Sequence, residues 1–310
     1  HRLIRRQRQM CIRDRNNTVN KISLKQKAMM YKKRPKSLAL ALAVFLCALI
    51  SCAVVVFLVS YILVKGVPNL SARLFEWEYN SENVSMMPSI INTLIYTAAS
   101  LVIAVPAGVF AAIYLAEYSR RGNVFVRIIR VTAQTLSGIP SIVYGLFGYL
   151  MFCVYLKLGY SMLAGTLTLA IMILPLIMRT TEEALCAVPD SYREASYGLG
   201  AGKLRTVFKV ILPSAMPGIL SGIILGIGRI VGETAALIYT AGTVAGVVTK
   251  LTDSGRTLSV HMYALLSEGL YTEEAYATAV VLLAAVIIIN AVSSLIAGGI
   301  SKKEGKKDDA

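Results

Sequence analysis

Two residues of opposite charge lie near the end of a strongly apolar stretch of this chain. Arg229 and Glu233 are four positions apart, and Arg229 is the one charged residue between positions 210 and 231. A cation and an anion in an apolar segment cost free energy unless they pair or face water, so both are candidates for function. Two hypotheses follow. Either they form a structural ion pair that locks a helix bundle, or Arg229 binds an anion through its forked donors while Glu233 orients it.

The helix that must position this pair carries three glycines on one face. Gly218, Gly222 and Gly226 are spaced four apart, so they form a smooth stripe that lets a second helix approach closely. The charged pair continues this stripe. A third candidate, Arg179, lies at the end of an earlier apolar run, where it either serves the inner mouth of a path or extends to the membrane interface.

A polar island separates that earlier run from the glycine helix. Asp190 or Ser191 is the expected N-cap, and Glu194 completes the spacing of a capping box, which predicts a short helix through Tyr197. Three glycines then end this helix, and a second helix is predicted over 203–210. From the residues alone the island is either an ordinary solvated loop or a projection that docks a partner.

The polar island contains no complete phosphate-binding motif. The stretch from Gly200 to Lys203 has the look of a phosphate-binding loop, but Tyr197 stands where a glycine is required and Leu204 where a hydroxyl is required. We therefore expect any ATP to be bound by a different protein. With five scattered cysteines and histidines only at positions 1 and 261, we predict no metal site, no cofactor and no catalytic residue.

Composition places the chain among membrane proteins. Of its 310 residues 56% are hydrophobic and only 16% are charged, and mean hydropathy is +0.63. Soluble domains carry roughly a quarter charged residues. The net charge of +15 is concentrated at the N-terminus and in short loops that flank apolar runs. This distribution indicates a positive-inside membrane protein rather than a nucleic-acid-binding protein.

Six apolar runs approach or exceed the length of about 20 residues that crosses a bilayer. The predicted spans are 38–64, 90–115, 136–158, 163–178, 210–231 and 277–300. Basic residues before the first and after the last span predict that both termini are cytoplasmic. Residues 234–248 are apolar but short and interrupted by glycines, so we predict a re-entrant or interfacial segment there. Gly138 and Pro140 either break the third span or mark its start.

The sequence therefore predicts an all-α polytopic membrane protein in four parts. A disordered or non-native basic tail, a cytoplasmic N-terminus, a transmembrane domain and a charged cytoplasmic tail are expected at 1–29, 30–37, 38–300 and 301–310 respectively. The native start is expected at Met29 or Met30. The transmembrane domain contains the cytoplasmic loop 179–213.

This loop resembles the EAA loop of ABC-importer permeases, whose short helix docks into a separate ATPase subunit. Ser196 and Val210 depart mildly from the pattern. The matching positions are Glu194, Ala195, Gly200, Leu212 and Pro213. The resemblance implies that these five residues couple the chain to the ATPase. Since the loop precedes Arg229 by about one span, we expect a push on the loop to travel along that helix.

Three further segments, 137–145, 179–185 and 229–235, resemble the PstA family, the phosphate-specific permeases of bacterial ABC importers. The similarity covers most of the chain. It implies a six-span permease bundle in the bacterial cytoplasmic membrane, with Arg229 and Glu233 along the translocation path. The partners it implies are a sister permease (PstC-like), a homodimeric ATPase (PstB-like) that binds the ATP, an extracytoplasmic phosphate-binding protein and membrane lipid.

Three alternatives are weaker. An ABC permease for a different oxyanion or small solute is the main one, because the EAA loop does not select a substrate. A secondary transporter or channel that works alone would need internal repeats, which the six spans do not show. An intramembrane enzyme would need a histidine beside a serine or carboxylate cluster within a span, and the sequence has none.

Overall fold

Apolar runs with few charges form helices in this chain because a helix satisfies every backbone hydrogen bond within the segment, as a membrane interior requires. The computed structural model describes residues 35–119 and 122–308. Within those ranges the chain consists of helices, turns and loops without any strand, which confirms the predicted fold class. The predictions for residues 1–29 fall outside the described residues.

The described α-helices follow one another with short connections. In chain order they are α1 (Pro35–Gly66), α2 (Met87–Ile113), α3 (Val124–Ser137), α4 (Ser141–Gly148), α5 (Met162–Ala187), α6 (Asp190–Gly198), α7 (Lys203–Thr206), α8 (Leu212–Val231), α9 (Ala235–Thr240), α10 (Leu258–Glu268) and α11 (Thr272–Asp308). Helices α2, α4 and α7 each continue into a π-helical turn, at Tyr114–Tyr118, Tyr149–Tyr155 and Val207–Ile211. The chain divides into two units, His1–Tyr61 and Ile62–Ala310, and the contacts described below lie within the second.

Five helices of the described residues are long and apolar enough to cross a membrane, and they coincide with the first, second, fourth, fifth and sixth predicted spans. The third predicted span, 136–158, is wrong at its start. It covers the end of α3 and all of α4 with its π turn. These two helical segments are bent by 104° relative to each other, at the break between Ser137 and Ser141. Counting this bent pair as one span gives six. The break holds Gly138 and Pro140, and proline can neither donate a backbone hydrogen bond nor fit inside a helix.

Helix α5 is the central element of the second unit. It contacts α2, α3, α8 and α9, and its residues Leu169, Ile173 and Ile177 are fully buried. The predicted fourth span ended at Met178, but α5 continues to Ala187. The segment after Met178 is charged yet still helical, since the side chains of Thr181 and Leu185 are buried against neighbouring helices. The first part of the predicted loop 179–213 is therefore helical, up to Ala187.

The glycine stripe of α8 packs closely against α5. A Cβ atom at Gly218 would lie 2.6 Å from Ala184 Cβ, and one at Gly222 would overlap the Thr180 hydroxyl. At Gly226 the nearest atom, on Ile177, is 3.9 Å away. The close approach that the spacing predicted is thus present, and it is tightest at Gly222.

Residues 234–248 form no seventh span. Helix α9 has only six residues, and the chain after it is irregular. Asn92 of α2, which is fully buried, holds this irregular chain: its amide donates to the carbonyl oxygens of Gly246 (2.9 Å) and Arg256 (3.1 Å) and accepts from Val248 N (2.9 Å). Protein groups thus satisfy this non-helical backbone, as a membrane interior would require.

Candidate functional site

The polar island forms helix α6, which begins at Asp190 and ends at Gly198. The predicted capping box is wrong. Pro189 occupies the N-cap position, and no side chain accepts a hydrogen bond there. Pro189 has an extended backbone conformation, so Asp190 lies in the first turn of α6. Its carboxylate interacts favourably with the positive end of the helix dipole there. It also accepts a hydrogen bond from Arg193 Nη1 at 3.2 Å.

Gly200 ends this helix for a backbone reason. Its φ of +81° lies in the left-handed region, which non-glycine residues adopt only at a cost. Gly200 N donates to Tyr197 O at 2.9 Å, and Ala201 N donates to Ser196 O at 3.1 Å, so the last carbonyls of α6 are satisfied. A Cβ atom at Gly200 would meet nothing within 4 Å. The turn, rather than lack of space, requires glycine here.

An ion pair anchors α6 to the end of α2. Arg193 Nη2 lies 2.6 Å from Glu117 Oε1, and the side chains are only 17% and 6% exposed. Arg193 also donates to the carbonyl oxygens of Val188 (2.8 Å) and Leu185 (3.0 Å), at the end of α5. The hydrogen bond to Glu117 raises the pKa of Arg193 above its already high ordinary value, against the opposing effect of burial. One guanidinium therefore joins α6 to both α2 and α5.

Two smaller contacts connect α6 and α7 to each other and to α2. The hydroxyls of Ser196 and Thr206 lie 2.8 Å apart and are buried. Lys203 Nζ lies 4.8 Å from the ring centroid of Tyr118, within the range of a cation–π interaction. As a result, α6 and α7 are joined to each other and form one projection (hereafter the projection).

The opposite face of this projection is open to solvent. Glu194 and Ala195 are exposed, and Leu199 is exposed to 89%. A groove of about 600 Å³ runs beside them, lined in part by Tyr192, Arg205 and Val210. Exposed apolar side chains beside charged ones are typical of a surface that another protein covers.

Leu212 and Pro213 lie where the projection joins α8. Pro213 is in the first turn of α8, where a missing N–H costs least, and the π turn Val207–Ile211 comes directly before it. Leu212 packs against the buried cluster that includes Val207 and Ile211. The helical run from 203 to 231 is therefore continuous, so the projection and Arg229 share one element.

Arg229 and Glu233 do not lie on one helix. Helix α8 ends at Val231 with Gly232 as its C-cap, so Glu233 lies beyond the helix and the expected four-residue face does not extend to it. Glu233 is buried, and its carboxylate accepts a hydrogen bond from Ala236 N (3.1 Å) at the start of α9. Among the described residues the two side chains form no ion pair, so the hypothesis of a locking Arg229–Glu233 bridge is not met in this structure.

Arg229 lies at a cavity of about 540 Å³ between α5, α8 and α11. The lining is mostly apolar, with Leu176 and Leu225 among its members, and its other polar side chains are Ser221 and Asn290. Arg229 is half-buried and pairs with no acidic side chain in the described part of the chain. The cavity thus combines a guanidinium with two neutral hydrogen-bonding groups, a set that suits a small anion.

Arg179 does not line the Arg229 cavity. It lies on α5, and its Nε donates to Glu183 Oε1 at 2.9 Å in an exposed pair. The cavity that it lines is a different one, shared with Arg130 and Glu182, which form their own pair at 2.6 Å. The structure therefore places Glu194, Ala195 and Gly200 on the projection and Leu212 and Pro213 where it joins α8, but it does not bring Arg179 into the Arg229 cavity.

Sequence reasoning missed Arg193 and Glu117. They are 76 positions apart, so no local spacing could pair them. The available signal was charge: Glu117 is an acidic residue directly after an apolar span, and Arg193 directly precedes Glu194, the first residue of the EAA pattern.

Apolar helices long enough to cross a membrane, with a polar projection anchored to their ends, are the architecture expected of a membrane permease. Residues 104–305 match the family of binding-protein-dependent transport system inner membrane components, and the chain belongs to that family. This assignment confirms the prediction of an integral membrane transport component rather than an enzyme.

Several curated relatives are similar in sequence. The chain is 38% identical over 199 residues to the probable ABC transporter permease protein YqgI of Bacillus subtilis, covering 64% of this chain and 67% of that protein. It is 41% identical over 154 residues to the phosphate transport system permease protein PstA 1 of Mycobacterium tuberculosis, half the length of each. With PstA of Mycobacterium leprae it shares 33% identity over 220 residues, covering 68% and 71%.

Two solved structures share the fold. A bacterial ABC transporter involved in import of the acidic polysaccharide alginate superposes with a TM-score of 0.61 at 14% identity, covering 88% of this chain and 99% of that one. An inward-facing methionine ABC transporter gives 0.55 at 21% identity, covering 69% and 94%. Both are structures of ABC transporters, in agreement with the family assignment.

Proposed function

We propose that this chain is a permease component that carries inorganic phosphate across the bacterial cytoplasmic membrane. The observation that carries the proposal is the Arg229 cavity: a half-buried guanidinium with no acidic partner among the described residues, next to Ser221 and Asn290. Such a set matches a small oxyanion, which accepts several hydrogen bonds and carries the opposite charge. The names of the phosphate-transport relatives support phosphate as the anion.

The driving force comes from a separate ATPase that docks on the exposed face of α6. Glu194, Ala195 and the exposed Leu199 support this docking, and the turn at Gly200 and the junction at Leu212 and Pro213 give the face its shape. The complex would also contain a sister permease, a second copy of the ATPase and an extracytoplasmic phosphate-binding protein. Both termini would then lie in the cytoplasm, on the ATPase side, and ATP would bind to the partner.

Glu233 and Arg179 have supporting roles in this proposal. The Glu233 carboxylate accepts a hydrogen bond from Ala236 N in the first turn of α9 and so fixes the backbone beyond the end of α8, close to Arg229 in sequence. Arg179 stays in the exposed pair with Glu183 and would act at the inner mouth of the path.

The test is uptake of radiolabelled phosphate by the complete transporter in proteoliposomes. Arg229→Gln should lower uptake by roughly tenfold or more, since a charge-assisted hydrogen bond contributes about 1.5–3 kcal/mol. The control is Arg73→Gln, an exposed arginine in the connection between α1 and α2, which should leave uptake unchanged. Wild-type uptake by Arg229→Gln would reject the role of this residue. Uptake of another solute that phosphate does not compete with would reject phosphate and favour a different ABC permease.

A further inference from the structure

Arg256 is a buried cation that the transport proposal does not use. It precedes α10, on the side of the second unit where α2 begins, and it is only 4% exposed. Its backbone is fixed on both sides: the N–H donates to Val244 O at 2.9 Å, and the carbonyl accepts from Asn92 Nδ2 at 3.1 Å. The side chain therefore has a set position in the interior.

One edge of the Arg256 guanidinium has no partner. Nε and Nη2 are both buried, and neither forms a hydrogen bond with any described residue. These two nitrogens form the side-on edge that binds a carboxylate or phosphate with parallel donors. Elsewhere in this chain the same edge is occupied by a carboxylate: that of Arg130 by Glu182, and that of Arg193 by Glu117.

Two acidic residues near Arg256, Asp253 in sequence and Glu233 in structure, accept hydrogen bonds from other groups, and no acidic side chain among the described residues forms an ion pair with Arg256. Asp253 accepts three hydrogen bonds from Thr249 and Lys250, and Glu233 accepts one from Ala236 N. A buried cation without a counter-ion is strongly unfavourable, so something of negative charge is expected at this edge. The position just before the N-terminus of α10, an 11-residue helix, adds to the positive potential.

Tyr79 and His261 lie beside the Arg256 guanidinium. The Arg256 Cζ atom lies 4.5 Å from the Tyr79 ring centroid, and the His261 ring meets Tyr79 edge-on at 6.3 Å between centroids. His261 is fully buried; the Val84 carbonyl lies beside it, but neither ring nitrogen completes a hydrogen bond of standard geometry. The cluster thus offers donors from Arg256 and His261 and no carboxylate.

We infer that Arg256, with His261 and Tyr79, forms a second binding site for a small oxyanion, separate from the Arg229 cavity. The Nε–Nη2 edge of Arg256 binds two oxygens of the anion, and a His261 N–H supplies a further donor. Tyr79 stacks on the guanidinium and holds it in plane. Only the identity of the anion as phosphate depends on the proposed function. Sulfate would satisfy the same charge and the same donors.

Thermal unfolding of the full purified chain in detergent, titrated with inorganic phosphate, sulfate or chloride, tests this inference. The binding protein is left out because it would bind phosphate itself. We expect an oxyanion to raise the unfolding temperature of the wild type and of Arg229→Gln alike, with the increase lost in Arg256→Gln. The same increase in Arg256→Gln, or no increase in the wild type with either phosphate or sulfate, would overturn the site, whether or not chloride has an effect.

A conservative variant keeps the test sharp if Arg256→Gln does not fold. Arg256→Lys retains the charge but lacks the two-nitrogen edge, so the anion concentration for half-maximal stabilisation should rise by about tenfold, the loss of one charge-assisted hydrogen bond. Unchanged half-saturation in Arg256→Lys would also reject the site. Because uptake is not the readout, a failure of phosphate transport with the anion effect intact would reject only the transport proposal.

Discussion

Arg193 of α6 and Glu117 at the end of α2 form a 2.6 Å ion pair in which the carboxylate is 6% exposed. The pair gives the projection a second connection to the spans, in addition to the continuous helical run into α8. The sequence predicted the route along α8 alone. A displacement of α6 must therefore move the ends of α2 and α5 as well, since the same guanidinium contacts Leu185 and Val188.

Breaking the Arg193–Glu117 pair should uncouple transport. Removing one partner of a buried pair costs about 3–5 kcal/mol, so Arg193→Gln and Glu117→Gln should each lower the unfolding temperature and reduce phosphate uptake at least tenfold. The exchanged pair, Arg193→Glu with Glu117→Arg, should recover part of the loss. Thermal unfolding and proteoliposome uptake measure both effects.

The exposed pair of Arg179 and Glu183 is the matched control for stability. Both side chains are more than half exposed, and such pairs contribute about 0–1 kcal/mol. Arg179→Gln should therefore hardly change the unfolding temperature. If Arg193→Gln were equally harmless, the anchoring role of Arg193 would be wrong.

Reversing the charge at Glu194 should separate ATP hydrolysis from transport. Glu194 is exposed and forms no hydrogen bond or ion pair with the described residues, so Glu194→Lys should leave folding and membrane insertion intact. A positive charge on the docking face should weaken ATPase binding and lower uptake severalfold or more. Co-purification of the ATPase and uptake are the two measurements. Glu268→Lys, also exposed but at the end of α10, should change neither, and equal behaviour of the two variants would exclude docking at Glu194.

The sequence predicted the elements whose cause is local. The length of each apolar run predicted the spanning helices. The glycine at position 200 predicted the end of α6, because the left-handed backbone conformation of that turn requires glycine. It could not predict the 104° angle between α3 and α4, since a proline breaks a helix without fixing the direction that follows. The extension of α5 to Ala187 depends on burial of Thr181 and Leu185 against other helices, which charge patterns do not show.

The candidate site divides in the same way. The coupling residues all lie between Glu194 and Pro213, so a single local motif located them. Glu233 lies off α8 because Gly232 ends the helix after Val231, and spacing alone assumes a helix that continues. Asn290 joins Arg229 at its cavity from α11, a contact between distant segments that no sequence spacing encodes.

Adding a methyl group at Gly222 should disturb the contact between α5 and α8. A Cβ there lies 2.7 Å from Thr180 Cβ, so Gly222→Ala should cost about 1–3 kcal/mol through overpacking. Gly226→Ala, on the same stripe, meets its nearest atom at 3.9 Å and should be neutral. Unfolding temperatures in detergent measure the difference, and equal values for the two variants would contradict the packing described here.

Asn92 should control the segment after α9. Asn92→Leu removes three hydrogen bonds to buried or part-buried backbone groups of Gly246, Val248 and Arg256, and each unsatisfied group costs about 1–3 kcal/mol. We expect faster cleavage by trypsin at the exposed Lys250 together with a lower unfolding temperature. Asn69→Leu loses one exposed bond to Lys65 and should be cleaved like the wild type. Unchanged cleavage of Asn92→Leu would show that other contacts hold the segment.

Acid should destabilise the chain in part through His261. Burial and the nearby Arg256 lower the pKa of His261 from 6.5 to about 3, outweighing the opposing Val84 carbonyl. Between pH 6.5 and pH 3 the imidazole is protonated in the unfolded state but stays neutral in the folded state. The contribution of neutral His261 to the free energy of unfolding is therefore fully present above pH 6.5 and is lost as the pH falls toward 3. From pH 7 to pH 5 the loss is about 2 kcal/mol, at about 1.4 kcal/mol per pH unit below 6.5. His261→Phe should therefore show a shallower fall in unfolding temperature over that range, and parallel curves for the two proteins would exclude a buried neutral His261.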